Sequence, residues 1–229
     1  NPARYNGMKF CLAGASPVYS DFTADLRERA KTVSIGDKVV GDYEERDLTA
    51  EFVAHLDRLV PVAGKRRIKV VVDAGNGMGG LIVPAVLADR NVELIGLYME
   101  PDGTFPNHPA NPLELENLVD ACSAVREHSA ELGLVFDGDA DRCFLIDERG
   151  EVVDPSVITA MIAVAELSKE TGGVVVVNAI TSQAVADAVA GLGRVEISRV
   201  GHTFVKALMA SENAIFGGEH SAHYYFRDF

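Results

Sequence analysis

The chain is poor in cysteine: Cys11, Cys122 and Cys143 are three in 229 residues, with no CxxC pair. An odd, scattered set argues against a disulfide framework or a thiolate zinc site, and makes a reducing compartment, the cytoplasm, the default. Long apolar runs are missing too. The richest, "VITAMIAVAEL" at 157–167, has the length of a core helix and falls short of the ~18 residues of a membrane span. Positive charge is scarce, 21 Lys and Arg against 34 Asp and Glu, for a formal charge of -13. A general nucleic-acid binder displaces counterions with a basic face, and this balance argues against one. A small anionic substrate stays open, because a few converging cations or a divalent metal can hold a phosphate on an acidic protein. No initiator Met or signal-like segment precedes Asn1-Pro2, which reads as a start internal to something longer.

A chain of 229 residues that is 48% hydrophobic can build one large domain or two small ones. Residues 1–45 hold an apolar run ("KFCLAGA"), a helix candidate ("DFTADLRERA") and polar loops, too little for a core, and read as the tail of a domain. A helix pattern, "TAEFVAHLDRLV", starts at Thr49, and "PVAGKRR" reads as a linker. From there strands alternate with helices: "IKVVVDA", "GGLIVPAVLADR", "VELIGLY", the long "PLELENLVDACSAVREHSA", "ELGLVF" and "CFLID". After Asp154-Pro155 the alternation restarts with a helix at 156–170, then "GVVVVN", "SQAVADAVAGL", "RVEIS", "TFVKALMASEN" and "AIFGG". The pattern predicts an α/β chain of tandem three-layer α/β/α units with mixed sheets, one over 46–153 and one over 154–229. The shared layout, a valine strand followed by a loop and a helix, makes a duplication plausible. The second unit lacks a helix after "HYYFRDF" to cover its last strand and reads as cut short.

In "GLVFDGDADRCFLID" (133–147), Asp137, Asp139 and Asp141 fall at every second position between apolar runs. Extended, they would share one face of a strand, where their repulsion calls for a cation. Hard carboxylate oxygens suit magnesium better than zinc or copper. An EF-hand would need glycine where Arg142 stands and helices where the flanks read as strands; a solvated Asp-Gly hairpin would explain only Asp137 and Gly138. "DAGNGMGG" gives a rival signal, since Gly75-x-Gly77-x-x-Gly80 after a strand satisfies the dinucleotide fingerprint, with Glu93 or Glu100 near the expected distance. Its plainer reading is a turn that side chains cannot fit. "RVGHTFVK" sets Arg199, His202 and Lys206 around a helix start able to receive an anion. "GGEHSAHYYF" sets Glu219 and Ser221 two apart, able to point the same way toward paired sugar hydroxyls. Singly, these last two are ordinary polar turns.

In combination and order, the motifs resemble the phosphohexomutases, in particular their bacterial phosphomannomutase/phosphoglucomutase branch. "NPARYNGMK" is similar to the segment after that family's phosphorylated serine, "DGDADR" to its magnesium loop, "VGHTFVK" to its phosphate and specificity loop, and "GGEHSAHYYF" to its sugar-binding loop. The resemblance implies four domains, with this chain holding the end of the first (1–45), the second (46–153) and most of the third (154–229). It implies Mg2+ on Asp137, Asp139 and Asp141 with Arg142 beside them, and Lys9 as a general acid/base. It makes His202 a substrate or proton-transfer residue near Arg199 and Gly201, and gives Glu219 and Ser221 the sugar 3- and 4-hydroxyls. The activity implied is phosphoryl transfer between hexose 1-phosphate and 6-phosphate, mannose first and glucose second, through a hexose 1,6-bisphosphate.

Three departures matter. The nucleophilic serine would lie two residues before Asn1, the fourth domain is not in the chain, and "VNAITSQ" lacks a basic residue that many members carry. The first two imply that the chain alone is inactive. Ala222 stands where the wider family has Gly, in the manner of the phosphomannomutase branch. A phosphoglucosamine mutase, an NAD-dependent dehydrogenase and a non-catalytic sugar-phosphate binder remain the alternatives.

Overall fold

A computed structural model describes residues 8, 10–13, 18, 21–34, 41–61 and 66–229. They fall into two compact units, Asn1–Leu48 and Thr49–Phe229. In the first, helix α1 (Phe22–Thr32) buries none of its residues, and the Phe10 and Phe22 rings lie 5.2 Å apart.

The second unit holds two mixed sheets. The first is built from β1 (Ile68–Asp73), β2 (Val92–Leu97), β3 (Leu132–Phe136), β4 (Cys143–Ile146) and β5 (Val152–Val153), in the order β2-β1-β3-β4-β5. β1 is parallel to both neighbours, while β3/β4 and β4/β5 are antiparallel. Val70, Val71 and Val72 of β1 are all buried, because successive side chains of a central strand enter opposite layers and both are covered. Val71 packs with α4 (Val119–Glu127) through Ala121 and Val125. Val70 and Val72 pack with Val83 of α3 (Gly79–Leu87), against which α2 (Thr49–Leu59) lies.

The second sheet repeats the plan. β6 (Val174–Asn178), β7 (Arg194–Ser198), β8 (Phe216–Gly218) and β9 (Tyr224–Phe226) run in the order β7-β6-β8-β9. Again the central strand is parallel to its two neighbours and the next pair is antiparallel. Val175 and Val177 face α5 (Pro155–Lys169) and α6 (Ala184–Val189). Val174 and Val176 face α7 (His202–Glu212). Asp154 caps α5, its carboxylate accepting from the Ser156 amide at 2.7 Å, which explains why Asp-Pro reads as the start of a new element. The tandem α/β/α arrangement with mixed sheets expected from the alternation is the one observed.

One local expectation changes. The long helix read over 112–130 begins as a 3-10 turn, Leu115–Leu118, and only Val119–Glu127 is α-helical. The aspartates at 137, 139 and 141 lie in the loop between β3 and β4, the two strands expected on either side of them.

Candidate active site

β3 and β4 pair up to Phe136 and Cys143, leaving 137–142 as the connecting loop. Ala140 takes the left-handed conformation (φ 57) and its amide donates to the Asp137 carbonyl at 3.0 Å. This turn, instead of a strand face, makes the carboxylates converge. One oxygen from each of Asp137, Asp139 and Asp141 lies within 4.8 Å of the others. Asp137 is buried and the other two are exposed. Arg142 partners the buried one, with Nε and Nη2 each 2.6 Å from its Oδ2 and the backbone amide 3.1 Å from Oδ1. Burial pushes the Asp137 carboxyl above its ordinary range, against the opposing pull of Arg142. Three converging carboxylates offer the hard oxygen donors that suit a cation such as magnesium.

The glycine-rich loop after β1 backs this turn. The Met78 amide donates to the Gly138 carbonyl at 3.0 Å. A Cβ on Gly77 would stand 2.7 Å from that same carbonyl oxygen, and one on Gly80 1.8 Å from the Met99 carbonyl oxygen. These glycines let backbone approach backbone. Against the dinucleotide reading, the middle glycine of the fingerprint, Gly77, packs on the backbone of the aspartate loop.

The corresponding β8–β9 loop, 219–223, carries the second predicted group. Glu219 is 2% exposed. Its Oε1 accepts from Asn178 Nδ2 at 3.0 Å and the Gly201 amide at 3.3 Å, and its Oε2 from Tyr225 Oη at 2.7 Å. The Glu219 hydrogen bond and burial push the Tyr225 phenol far up, with burial the larger cause. Ser221 Oγ lies 2.8 Å from His223 Nδ1. The Gly201 contact ties this loop to the start of α7, where Gly201 has φ 124. There Arg199 stacks its guanidinium 4.6 Å from the centre of the Phe204 ring, and His202 is exposed in the first turn. Lys9 lies outside the described residues.

Sequence reasoning missed the residue that joins the two loops. His223 Nε2 is 3.2 Å from Asp141 Oδ1, and its Nδ1 is 3.4 Å from Glu219 Oε2. The signal was present as the second histidine of "GGEHSAHYYF". Asn178 and Tyr225 were missed as well, because their role shows only when β6 and β9 flank β8. A Ser156–His220–Asp154 grouping suggests a nucleophilic triad but is not one. Ser156 is 1% exposed, and its Oγ and the Asp154 carboxylate approach the same ring atom, Nδ1, whereas a triad uses both nitrogens.

The α/β/α domain II of phosphoglucomutase/phosphomannomutase matches residues 50–150, and the α/β/α domain III matches residues 154–229. A phosphomannomutase of Vibrio cholerae serotype O1 is 40% identical over 240 residues, an alignment that covers 100% of this chain and 51% of that protein. The phosphohexose mutases protein of Xanthomonas campestris pv. campestris strain B100 is 38% identical over 233 residues, covering 100% of this chain and 52% of that one. A crystal structure of a phosphoglucomutase/phosphomannomutase family protein from Burkholderia thailandensis superposes with a TM-score of 0.84 at 29% identity, over 92% of this chain and 46% of that one. The chain spans about half the length of the curated relatives it matches. With its two mixed sheets and its aspartate and glutamate hairpins, the chain belongs to the phosphoglucomutase/phosphomannomutase family.

Proposed function

We propose that this chain supplies the magnesium loop and the sugar-hydroxyl loop of a phosphohexomutase that moves a phosphoryl group between the 1- and 6-oxygens of mannose, and also of glucose, by way of a hexose 1,6-bisphosphate. We assign residues 46–153 and 154–229 to its second and third domains and 1–45 to the end of its first. The observation that carries the reading is the convergence of Asp137, Asp139 and Asp141 beside Arg142, in a chain aligned over its whole length with phosphomannomutases.

Asp137, Asp139 and Asp141 would hold Mg2+, which when bound draws charge from the phosphoryl oxygens. Arg142 fixes the Asp137 carboxylate and keeps the loop folded. Arg199, Gly201 and His202 lie at the start of α7 and contact the substrate, where backbone N–H groups favour an anion and His202 can also transfer a proton. Lys9 would act as general acid/base on the attacking hydroxyl. Ser221 and Glu219 read the 3- and 4-hydroxyls, which mannose and glucose share. A carboxylate has about four lone-pair sites, and those of Glu219 already meet Asn178, Gly201, Tyr225 and His223. A sugar hydroxyl therefore replaces one of the two longest contacts, the Gly201 amide at 3.3 Å or His223 at 3.4 Å.

Calorimetric titration with Mg2+ tests the central assignment. Wild type is expected to bind, and Asp139→Asn to lose at least about tenfold in affinity, because a ligand has been replaced by a neutral, weaker donor. Equal affinities would remove the loop from metal binding. The same titration with mannose, glucose and glucosamine 1-phosphates in saturating Mg2+ tests the sugar: comparable binding of the first two is expected, and dominant binding of the amino sugar would favour the phosphoglucosamine reading.

A further inference from the structure

Asp73 is a wholly buried carboxylate with no part in the function above. It ends β1, the central strand of the first sheet, and is 0% exposed. Its Oδ1 accepts from the Gly75 amide at 2.8 Å, a bond that a neutral asparagine would make equally well. Burying a carboxylate is costly unless a partner compensates. The partner is His108, whose Nε2 lies 3.1 Å from Oδ2 and 3.3 Å from Oδ1. The other ring nitrogen, Nδ1, faces the Pro109 carbonyl oxygen at 2.9 Å. Both ring nitrogens thus face oxygen acceptors, one on the carboxylate and one on the backbone. Tyr98 closes the ring's flank, edge-on at 5.3 Å.

His108 opens the stretch His108–Pro109–Ala110–Asn111–Pro112, whose prolines restrict its backbone. Ala110 covers both loops of interest: its Cβ would lie 3.3 Å from a Cβ on Gly75 and 3.7 Å from one on Gly138. Asn111 then accepts from Arg142, Nη1 to Oδ1 at 3.3 Å, while the Asn111 carbonyl is held by Asn117 Nδ2 at 2.8 Å. A continuous chain of contacts thus runs from the end of β1 to the arginine that grips Asp137. The second sheet makes the same link in one step. Asn178 ends β6, the matching central strand, and donates directly to Glu219 in its hairpin. A direct link from Asp73 would add a fourth carboxylate to the aspartate loop; the relay keeps that charge away and delivers a neutral amide.

We propose that Asp73 and His108 are positioning residues for the aspartate loop, setting its cation affinity through Asn111 and Arg142; this rests on the magnesium reading above. Loss of such outer partners lowers metal affinity by about 10- to 100-fold in metalloenzymes. In calorimetric Mg2+ titrations of the chain, His108→Leu is expected to weaken binding about tenfold, Asn111→Ala at least about threefold, and His108→Gln, whose amide can still donate to Asp73, less than either. Hydrogen exchange of the Arg142 Nε–H, followed by NMR without metal, supplies a readout that a general loss of stability would not single out. It should accelerate in His108→Leu and Asn111→Ala while the Val176 amide in β6 is unchanged. Should His108→Leu fail to fold, Asn111→Ala and His108→Gln carry the test.

Unchanged Arg142 exchange in Asn111→Ala, or wild-type Mg2+ affinity there, overturns the positioning role while leaving the metal assignment standing. Wild type without Mg2+ affinity overturns both. Equal weakening by His108→Gln and His108→Leu overturns the part assigned to the Asp73 hydrogen bond.

Discussion

In the β3–β4 turn the Ala140 amide donates to the Asp137 carbonyl, and in the β8–β9 turn the Ala222 amide donates to the Glu219 carbonyl, both at 3.0 Å. Both alanines are left-handed, with φ of 57 and 63. Each turn begins with an acid that is 2% exposed. One backbone device at the same place in two sheets of the same order therefore presents two chemistries. In the first, the positions after the buried acid are filled by Asp139 and Asp141, and Arg142 pairs with Asp137 and Asp141. In the second they are Ser221 and His223, and the buried acid already meets Asn178, Gly201, Tyr225 and His223. The first turn gathers three carboxylates, while the second holds one buried carboxylate whose oxygens already accept from neutral donors. Sharing a turn does not mean sharing a ligand, because the charge balance around it decides what can bind.

The contrast breaks most sharply at the buried acids. Glu219→Ala strips the acceptor from three donors and is expected to destabilise the chain by several kcal/mol, at about 1 to 3 kcal/mol for each buried donor left unsatisfied. Asp139→Asn, at an exposed position of the other turn, should cost less metal-free stability than that. Urea denaturation without Mg2+ compares them directly. Equal losses would mean that the second turn is not the more tightly satisfied of the two.

Next in size is Gly77→Ala. Its new methyl would meet the Gly138 carbonyl oxygen and Cα, at 2.7 and 2.9 Å, and backbone cannot swing aside as a side chain can. A loss of about 1 to 3 kcal/mol is expected, the range for overpacking. Amide exchange should rise at Ala140 in the first turn and stay constant at Ala222 in the second. Matching increases in both would show that the glycine-rich loop supports the whole unit and not one turn.

What the sequence made legible follows from the range of the interactions. "VVV" in β1 and "VVVV" in β6 read as buried strands because central parallel strands are covered on both faces. β5 and β9 escaped notice, since strands of two and three residues carry no period. The three aspartates were found by spacing and placed in the loop between two strands, but that they converge through a turn with one left-handed residue shows only in the tertiary pairing of β3 with β4. Asn178 reaches Glu219 across 41 positions and His108 reaches Asp73 across 35. No local pattern encodes such meetings; they exist because parallel crossovers bring strand ends and loops to one edge of a sheet. Gly75, Gly77 and Gly80 were legible as a turn and ambiguous in purpose, since a glycine yields to a neighbouring backbone and to a phosphate alike.

The smallest effect separates the two turns by a single methyl. A left-handed alanine costs about 1 kcal/mol relative to glycine in the folded state, and glycine loses about 0.4 to 1 kcal/mol more through the freedom of the unfolded chain. At Ala140, which is partly exposed, these terms nearly cancel, and Ala140→Gly should shift stability by less than about 0.5 kcal/mol. Ala222 is 0% exposed and packs in the core with Phe144, Val135 and Ile146. Removing its methyl forfeits about 0.8 kcal/mol of burial in addition, so Ala222→Gly should be the less stable variant by roughly that amount. Paired urea curves on the two variants resolve the difference. A clear gain from Ala222→Gly would mean that its backbone strain outweighs its packing, and that core burial does not account for alanine at that turn.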